Sequence, residues 1–362
     1  MEDLVARLER FYAGRRVFVT GHTGFKGGWL WLWLERLGAE VTGYSLEPPS
    51  TPSLWTMVGD DADPRSLRGD VRDGGRLLAA VADARPEVVM HLAAQAIVRE
   101  SYASPAATFD ANVMGTVNVL EAVRHAHSVG AAIIVTSDKC YENTGGGPGY
   151  REDDRLGGRD PYSASKACAE IATAAYARSF FSAPGSPAVC TVRAGNAIGG
   201  GDFAADRLIP DLARELAAGR TPELRHPDST RPWQFVLDPL AGYLDLAARA
   251  HAEPEAYAGC WNFGPDRAQA WPVGRVADLF CARWGGGAAW RRGGEDPARA
   301  EAAMLCLDSA KARERLGWRT LLDTAGAVGQ CADWYRAHAE GRDPRRLCLD
   351  QIDAYMEAAH AL

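Results

Sequence analysis

The stretch Arg16-Val-Phe-Val-Thr-Gly-His-Thr-Gly-Phe-Lys-Gly-Gly28 decides how this chain folds. Its apolar residues 17–19 predict a short buried strand, and the motif Gly21-x-x-Gly24-x-x-Gly27 follows at once. Residues 29–37 are mostly apolar and have the length of a helix. In a unit of strand, glycine turn and helix, the glycines let backbone N–H groups at the helix N-terminus approach a pyrophosphate. The stretch therefore predicts the first half of a dinucleotide-binding unit, with an ordinary strand-to-helix turn as the alternative.

Strand and helix patterns alternate through the first half of the chain, which is typical of a parallel sheet. Further strands are predicted at residues 40–45, 88–92, 131–135 and 189–193, and a long helix at 109–123. From about residue 195, prolines and glycines interrupt shorter helical segments. We therefore predict an α/β fold whose residues 1–194 form a Rossmann-type doubly wound parallel sheet that binds NAD. Residues 195–362 are predicted to form a smaller, mixed α/β substrate-binding lobe, part of which returns to the sheet.

The second strand leaves the choice between NAD and NADP open. The acidic residue that usually receives the ribose hydroxyl is replaced by Tyr44-Ser45, and no arginine follows closely. Asp70 and Val71 are candidates for contact with the adenine, although a solvated surface acid is equally compatible with the pattern. Small residues after the strand at 88–92 leave room for a ligand. The predicted cofactor contacts are Gly21, His22, Thr23, Gly24, Phe25, Lys26, Gly27, Ser45, Asp70, Val71, Leu92, Ala93, Ala94, Gln95, Tyr162 and Lys166.

The composition excludes several classes of function. A net charge of −7 and the absence of any Lys/Arg cluster argue against a nucleic-acid surface. No apolar run reaches the roughly 18 residues that a membrane span needs. The 8 cysteines are scattered without a Cys-x-x-Cys pair, which favours reduced thiols and a cytoplasmic location. No cluster of His, Cys or Asp has the spacing of metal ligands, so no metal is predicted.

Tyr162 and Lys166 lie four residues apart at the start of a predicted helix and therefore face the same side. An isolated tyrosine is more often a packing residue, but this one follows a dinucleotide-type turn. A nearby ammonium favours the phenolate, so we expect Lys166 to lower the pKa of Tyr162. A tyrosine tuned in this way accepts the proton of a sugar hydroxyl while the same carbon gives up hydride.

Three motifs together resemble the extended short-chain dehydrogenase/reductase family over nearly the whole chain. They are Gly21-x-x-Gly24-Phe25-x-Gly27, Leu92-Ala-Ala-Gln95 and Tyr162-x-x-x-Lys166. Within the family, the chain is most similar to the nucleotide-sugar dehydratases that act on CDP-glucose. This closer resemblance is carried by residues 21–27, 41–46, 136–143, 157–163, 193–196, 199–202, 206–211 and 230–234. The glycine-rich residues 144–149 depart from the tryptophan-containing loop that the resemblance implies.

The resemblance implies NAD-dependent dehydration of CDP-D-glucose to CDP-4-keto-6-deoxy-D-glucose. Oxidation at C4 acidifies the C5 proton, water leaves from C5 and C6, and the hydride returns to C6. The implied catalytic residues are Ser137, Asp138, Lys139, Tyr162 and Lys166. Asp138 is expected to be the acid if a dry site keeps it protonated. Lys139 is expected to be either the base, if neutral, or a cation that stabilises the developing enolate.

The Asp138-Lys139 pair also bears on the substrate. The resemblance places Asp-Glu here in the dehydratases that act on dTDP-glucose, and Asp-Lys in the CDP-glucose branch. Arginines suit the diphosphate, because a guanidinium makes bidentate contacts with phosphate oxygens. The predicted substrate contacts are Asn196, Arg207, Leu208 and Arg231, whereas Arg193 is equally compatible with a structural ion pair.

Several alternatives remain open at the level of the sequence. A 4-epimerase needs Tyr162 but no acid–base pair at 138–139, and a dehydratase for another nucleotide hexose needs both. An NAD-sensing scaffold on the same fold needs neither. The helix at 109–123 and the one that begins near Tyr162 carry apolar residues on more faces than one sheet covers, which predicts a homodimer or tetramer.

Overall fold

The computed structural model describes residues 3–145, 149–294 and 304–360, so residues 146–148 of the glycine-rich insert lie outside it. The strands are β1 (Arg16–Thr20), β2 (Glu40–Ser45), β3 (Ser66–Arg68), β4 (Val88–His91), β5 (Ala131–Val135), β6 (Ala188–Ala194), β7 (Asn196–Ile198), β8 (Glu223–Leu224), β9 (Thr230–Phe235), β10 (Gly259–Phe263), β11 (Ala270–Pro272) and β12 (Arg291–Arg292). The α-helices are α1 (Leu4–Tyr12), α2 (Phe25–Arg36), α3 (Leu54–Val58), α4 (Gly74–Ala84), α5 (Val98–Ala103), α6 (Pro105–Phe109), α7 (Gly115–His125), α8 (Pro161–Phe180), α9 (Leu208–Ala217), α10 (Leu237–Ala252), α11 (Pro254–Tyr257), α12 (Val273–Trp284), α13 (Ala310–Leu316), α14 (Thr324–Ala339) and α15 (Pro344–His360).

Within the described residues, seven strands form one sheet in the order β10-β6-β5-β4-β1-β2-β3, and every neighbouring pair is parallel. The predicted doubly wound parallel sheet is therefore confirmed. The strand order reverses between β1 and β4, and ligands of such sheets bind at this point, outside the carboxyl ends of the strands. Smaller sheets, β11-β9-β7 and β12-β8, come from the second half of the chain. β10 also belongs to that half, and it returns to the edge of the main sheet beside β6.

Both faces of the sheet are buried, as expected for parallel strands covered by helices. Along β1, Val17 and Val19 point into one core cluster and Phe18 points into the other. Trp29 and Trp33 of α2 are at most 1% exposed and pack in the first cluster. The helix is therefore a buried core element, and its tryptophans provide packing.

α2 begins at Phe25, four residues earlier than the apolar pattern indicates. Gly24 is the extended residue that precedes it, so Lys26 and Gly27 lie in the first helical turn. A Cβ on Gly27 would lie 2.0 Å from the carbonyl oxygen of Gly21. The glycine spacing thus lets the helix start directly against the end of β1.

Candidate active site

The glycine turn and the loop after β4 touch each other at the reversal of the strand order. Gly21 has a φ of +78°, and a Cβ at this position would lie 2.6 Å from the backbone nitrogen of Ala93. A side chain is therefore excluded by both the backbone conformation and the lack of space. The result is a shallow cradle of backbone at the N-terminus of α2, of the kind that receives a pyrophosphate.

His22 lies in this turn, but its ring points into the protein. The ring is fully buried and lies 4.6 Å from Trp55, centroid to centroid, in an edge-on arrangement. Nδ1 is 2.9 Å from Ser45 Oγ, and Nε2 is 2.8 Å from Ser66 Oγ. Burial lowers the pKa of His22 to about 3, so the ring is neutral and joins the last residue of β2 to the first residue of β3 beneath the turn.

The other predicted cofactor residues follow the carboxyl ends of β1, β2, β3 and β4, which meet at one edge of the sheet. Thr23 Oγ1 donates to the carbonyl oxygen of Leu46 at 3.0 Å. Asp70 accepts from the Arg72 guanidinium at 2.6 Å, and this hydrogen bond lowers the pKa of Asp70. Val71 is buried in the core cluster on that side of the sheet. The remaining residues of the set, Leu92, Ala93, Ala94 and Gln95, are half-buried after β4.

Asn112 is a site residue that sequence reasoning missed. Residues Asp110–Met114 form a π-helical turn between α6 and α7, and such turns are frequent at functional sites. The buried Asn112 amide accepts from Gln95 N at 2.8 Å and donates to Gln95 O at 3.0 Å and Ser165 Oγ at 2.9 Å. It therefore joins the loop after β4 to α8. Asn112 is one of two asparagines in the predicted helix at 109–123, and a polar amide next to its apolar positions was the available signal.

Tyr162 and Lys166 stand in the first turns of α8, where the side chain of Asp160 caps the helix by accepting from Ser163 N at 2.9 Å. Both side chains are largely buried, at 8% and 6% exposure. Lys166 Nζ donates to the carbonyl oxygen of Val135 at 3.1 Å, and burial lowers the pKa of Lys166 to about 8.

The expectation that Lys166 lowers the pKa of Tyr162 is wrong. Burial of the phenol outweighs its neighbours and raises the pKa of Tyr162. The cation that opposes this rise in pKa most strongly is Lys139. A hydrogen bond between Ser137 and the Tyr162 phenol opposes it as well. The spacing of Tyr162 and Lys166 could not reveal this, because neither burial nor the approach of the turn after β5 is visible in it.

Asp138 and Lys139 form a one-turn 3-10 segment, Asp138–Cys140, directly after β5. Ser137 caps it, accepting from Lys139 N at 3.2 Å and donating to Asp138 Oδ1 at 3.0 Å. The Asp138 carboxylate is buried, whereas the Lys139 side chain is 38% exposed and its Nζ lies 3.4 Å from Asp138 Oδ1. The carboxylate raises the pKa of Lys139, so the lysine is held as a cation. This favours the stabilising cation over the neutral base.

The predicted substrate residues lie in or next to β7, α9 and β9 of the second half of the chain. Asn196 begins β7, Leu208 begins α9, and Arg207 precedes α9 with an ion pair to Asp202 at 3.0 Å. Arg231 is in β9. Burial lowers the pKa of Lys26 to about 8, and the nearby positive charge of Arg207 adds to the effect.

These side chains bring several cations close together. The charge of Arg207 acts on Lys26 and on Tyr162, and that of Arg231 acts on Lys139. The cations from the lobe and from the sheet edge are therefore within electrostatic range of one another. Such a concentration of positive charge suits a substrate that carries negative phosphates.

Fold and site together indicate a dinucleotide-dependent enzyme, with a Tyr–Lys pair on α8 and a separate Asp–Lys pair beside it. The chain belongs to the NAD dependent epimerase/dehydratase family, whose sequence pattern matches residues 17–258.

Two relatives of known name are similar over most of their length. The CDP-glucose 4,6-dehydratase of Salmonella typhimurium is 43% identical over 354 residues, which cover 97% of this chain and 98% of that protein. The dTDP-glucose 4,6-dehydratase of Streptomyces antibioticus is 29% identical over 79% of this chain and 81% of its own. Among solved structures, the dTDP-glucose 4,6-dehydratase of Streptomyces venezuelae with NAD bound has the same fold, with a TM-score of 0.71 at 24% identity. The matched region covers 91% of this chain and 99% of the Streptomyces venezuelae chain.

NAD fits the residues present, because the missing side chains of Gly21 and Gly27 let the turn, the loop after β4 and the first turn of α2 pack against one another, and this places the N-terminus of α2 at the edge of the sheet. In residues 3–145, 149–294 and 304–360, no group of three or more His, Cys, Asp or Glu side chains is arranged to hold a metal ion. The described helices also include none that is long and apolar enough to span a membrane.

Proposed function

We propose that this chain converts CDP-D-glucose to CDP-4-keto-6-deoxy-D-glucose by oxidation at C4, elimination of water across C5 and C6, and reduction at C6. The observation that carries the proposal is the buried Asp138, held 3.4 Å from Lys139 beside Tyr162. A plain dehydrogenase or a 4-epimerase needs only the tyrosine and the lysine on α8. The 43% identical relative named CDP-glucose 4,6-dehydratase supports both the reaction and the nucleotide.

NAD, when bound, accepts the hydride from C4 and returns it to C6. Residues 21–27 and Lys166 would hold it along the carboxyl edge of the sheet. Tyr162 accepts the proton of the C4 hydroxyl, and the cation at Lys139 stabilises the phenolate that this requires. The ketone then makes the C5 proton acidic, so this proton passes to solvent water, and Lys139 as a cation stabilises the enolate that remains.

Asp138 is proposed to supply the proton with which the C6 hydroxyl leaves as water. The side chain is buried, and its hydrogen bond with Ser137 fixes its orientation. Arg207 and Arg231 are proposed to bind the diphosphate, with Asn196 and Leu208 beside them on the lobe. Lys26 is placed to add positive charge from the helix side.

We further propose that two copies pair through α5, α8 and the π-helical turn, because these elements carry apolar residues that a single chain leaves exposed. Tyr102, Met114, Ile171 and Phe180 are between 47% and 64% exposed.

All eight cysteines are free thiols, and only Cys168 is exposed, which supports a reducing, cytoplasmic setting.

The proposal is tested with a panel of CDP-, dTDP-, GDP- and UDP-glucose in the presence of NAD. The 4-keto product is read by its ultraviolet absorbance in alkali. CDP-glucose is expected to give the highest kcat/KM. Preference for another nucleotide would correct the substrate, and a product that keeps its C6 hydroxyl would favour the 4-epimerase.

A further inference from the structure

A buried ion pair lies behind the catalytic turn and touches both of its ends. Glu170 of α8 and Arg193 of β6 are each 3% exposed in their side chains, and two guanidinium nitrogens donate to the two carboxylate oxygens at 2.8 Å. The carboxylate also accepts from Thr136 Oγ1 at 2.5 Å and from Thr191 Oγ1 at 2.7 Å. Every oxygen of Glu170 is thus satisfied in a dry environment, which makes the arrangement rigid.

The turn that carries Asp138 and Lys139 is connected to this pair on each side. Thr136 precedes the turn and donates to Glu170. Tyr141 follows the turn, and its hydroxyl accepts from the Arg193 guanidinium at 2.6 Å while it donates to Asn262 at 2.8 Å. The Arg193 guanidinium also lies over the Tyr141 ring, 4.8 Å from its centroid.

The same pair is connected to the residues of hydride transfer through α8. Tyr162, Lys166 and Glu170 follow one another at intervals of four residues, so they lie along one face of the helix. Glu170 therefore stands one turn beyond Lys166 and two turns beyond Tyr162. Because these residues share one helix, a shift of Glu170 relative to the turn also shifts Tyr162 relative to Asp138 and Lys139.

We propose that Glu170 and Arg193 are positioning residues that hold the Asp138–Lys139 turn in register with Tyr162 and Lys166. The inference rests on the proposed function, in which elimination needs Asp138 and Lys139 in place at the substrate. Oxidation needs the residues of α8 and depends on the turn only through the charge of Lys139 at Tyr162, which falls off slowly with distance. Neither side chain touches the substrate in this account, since both are buried behind the turn. Loosening the turn is expected to slow elimination while oxidation at C4 continues, because misplacement by about 1 Å costs a reaction step about 10²-fold.

The test removes the two connections and leaves the ion pair intact, because breaking a buried pair destabilises the fold strongly. Thr136→Val and Tyr141→Phe each delete one hydroxyl, and the double variant frees both ends of the turn. Tyr12→Phe is the matched control, since it deletes a buried hydroxyl that donates to the carbonyl oxygen of Leu244 at 3.0 Å on the opposite side of the core.

Single-turnover reactions with excess enzyme, NAD and CDP-glucose are followed by NADH absorbance and by quenched product. In the double variant, we expect NADH to form within about 3-fold of the parent rate and to accumulate, while product forms about 10²-fold more slowly. The control is expected to show no accumulation. Equal slowing of both steps, or parental rates for both, would overturn the proposal and leave the pair a purely structural element.

Hydrogen exchange of the backbone amides at 137–141 separates this inference from the proposed function. The double variant is expected to exchange these amides at least about 10-fold faster than the parent, with no change in the control. If the parent makes no 4-keto product from CDP-glucose, the proposed function fails. In that case, exchange at these amides alone decides whether Glu170 and Arg193 hold the turn. Equal exchange in the parent and the double variant contradicts the inference.

Discussion

Substitution of the Asp138–Lys139 pair should stop the reaction halfway. Asp138→Asn keeps the shape of a side chain that is 3% exposed but removes its transferable proton. Loss of a positioned proton donor lowers a rate by about 10²–10⁴-fold, or roughly 3–5 kcal/mol of barrier at 1.36 kcal/mol per decade. Lys139→Met removes a charge that is 38% exposed, so solvent screens part of its effect. We expect its cost at the lower end of the range for a lost electrostatic contact, about 10²-fold.

Rapid mixing with NAD and CDP-glucose measures both halves of the reaction. Both variants should accumulate NADH and a 4-keto hexose while the 6-deoxy product falls. Oxidation should keep its parental rate in Asp138→Asn and slow in part in Lys139→Met, because the Lys139 cation also stabilises the Tyr162 phenolate. Exchange of the C5 proton with solvent deuterium should persist in Asp138→Asn and slow in Lys139→Met. If neither variant accumulates NADH, the pair belongs to substrate binding and the reasoning is refuted.

The pH dependence of C5 exchange distinguishes the two roles of Lys139. The Asp138 carboxylate raises the pKa of Lys139, so the cation persists to higher pH than for a free lysine. A stabilising cation predicts exchange that falls when pH exceeds this raised pKa. A neutral base predicts the reverse, an exchange rate that rises with pH through the same range.

Four further predictions follow from single features of the structure. Tyr162→Phe should leave NAD affinity nearly unchanged in a binding titration and lower turnover by about 10²–10⁴-fold, and near-normal turnover would contradict its role as proton acceptor. Gly27→Ala should place a Cβ 2.0 Å from a turn carbonyl, so we expect a lower melting temperature and weaker NAD binding, and an unchanged affinity would argue against the cradle. His22 and His91 both have pKa values of about 3 in the fold, below the usual 6.5, so the unfolded chain binds more protons in acid. Protonation of each histidine in the unfolded chain should therefore lower the free energy of unfolding by about 2 kcal/mol as the pH falls from 6.5 to 5, which urea titrations at the two pH values would reveal. Ile171→Asp should convert a dimer to monomers in light scattering at micromolar concentration, and a parent chain that is already monomeric would exclude the proposed pairing.

The parallel sheet was predictable because its signals are local. Residues 16–28 contain the strand, the glycine turn and the beginning of the helix without any long-range information. The early start of α2 was not predictable, since glycines in a helix are unfavourable and only contact with the end of β1 explains them.

The electrostatics of the site depend on contacts between distant residues, and the sequence pattern does not contain them. Lys139 rather than Lys166 opposes the rise in the pKa of Tyr162, because the turn after β5 folds against α8. The pairing of Arg193 with Glu170 likewise joins β6 to α8. The sequence is compatible with a structural ion pair for Arg193, and the structure shows that pair.

The fate of the hydrogen at C4 tests the central claim most directly. CDP-D-glucose deuterated at C4 is incubated with the protein and NAD, and the product is examined by NMR and mass spectrometry. Intramolecular oxidation, elimination and reduction predict that the deuterium moves to C6 of a 4-keto-6-deoxy sugar. Deuterium returned to C4 of a hexose that keeps its C6 hydroxyl, or retained on the released cofactor, would contradict the account.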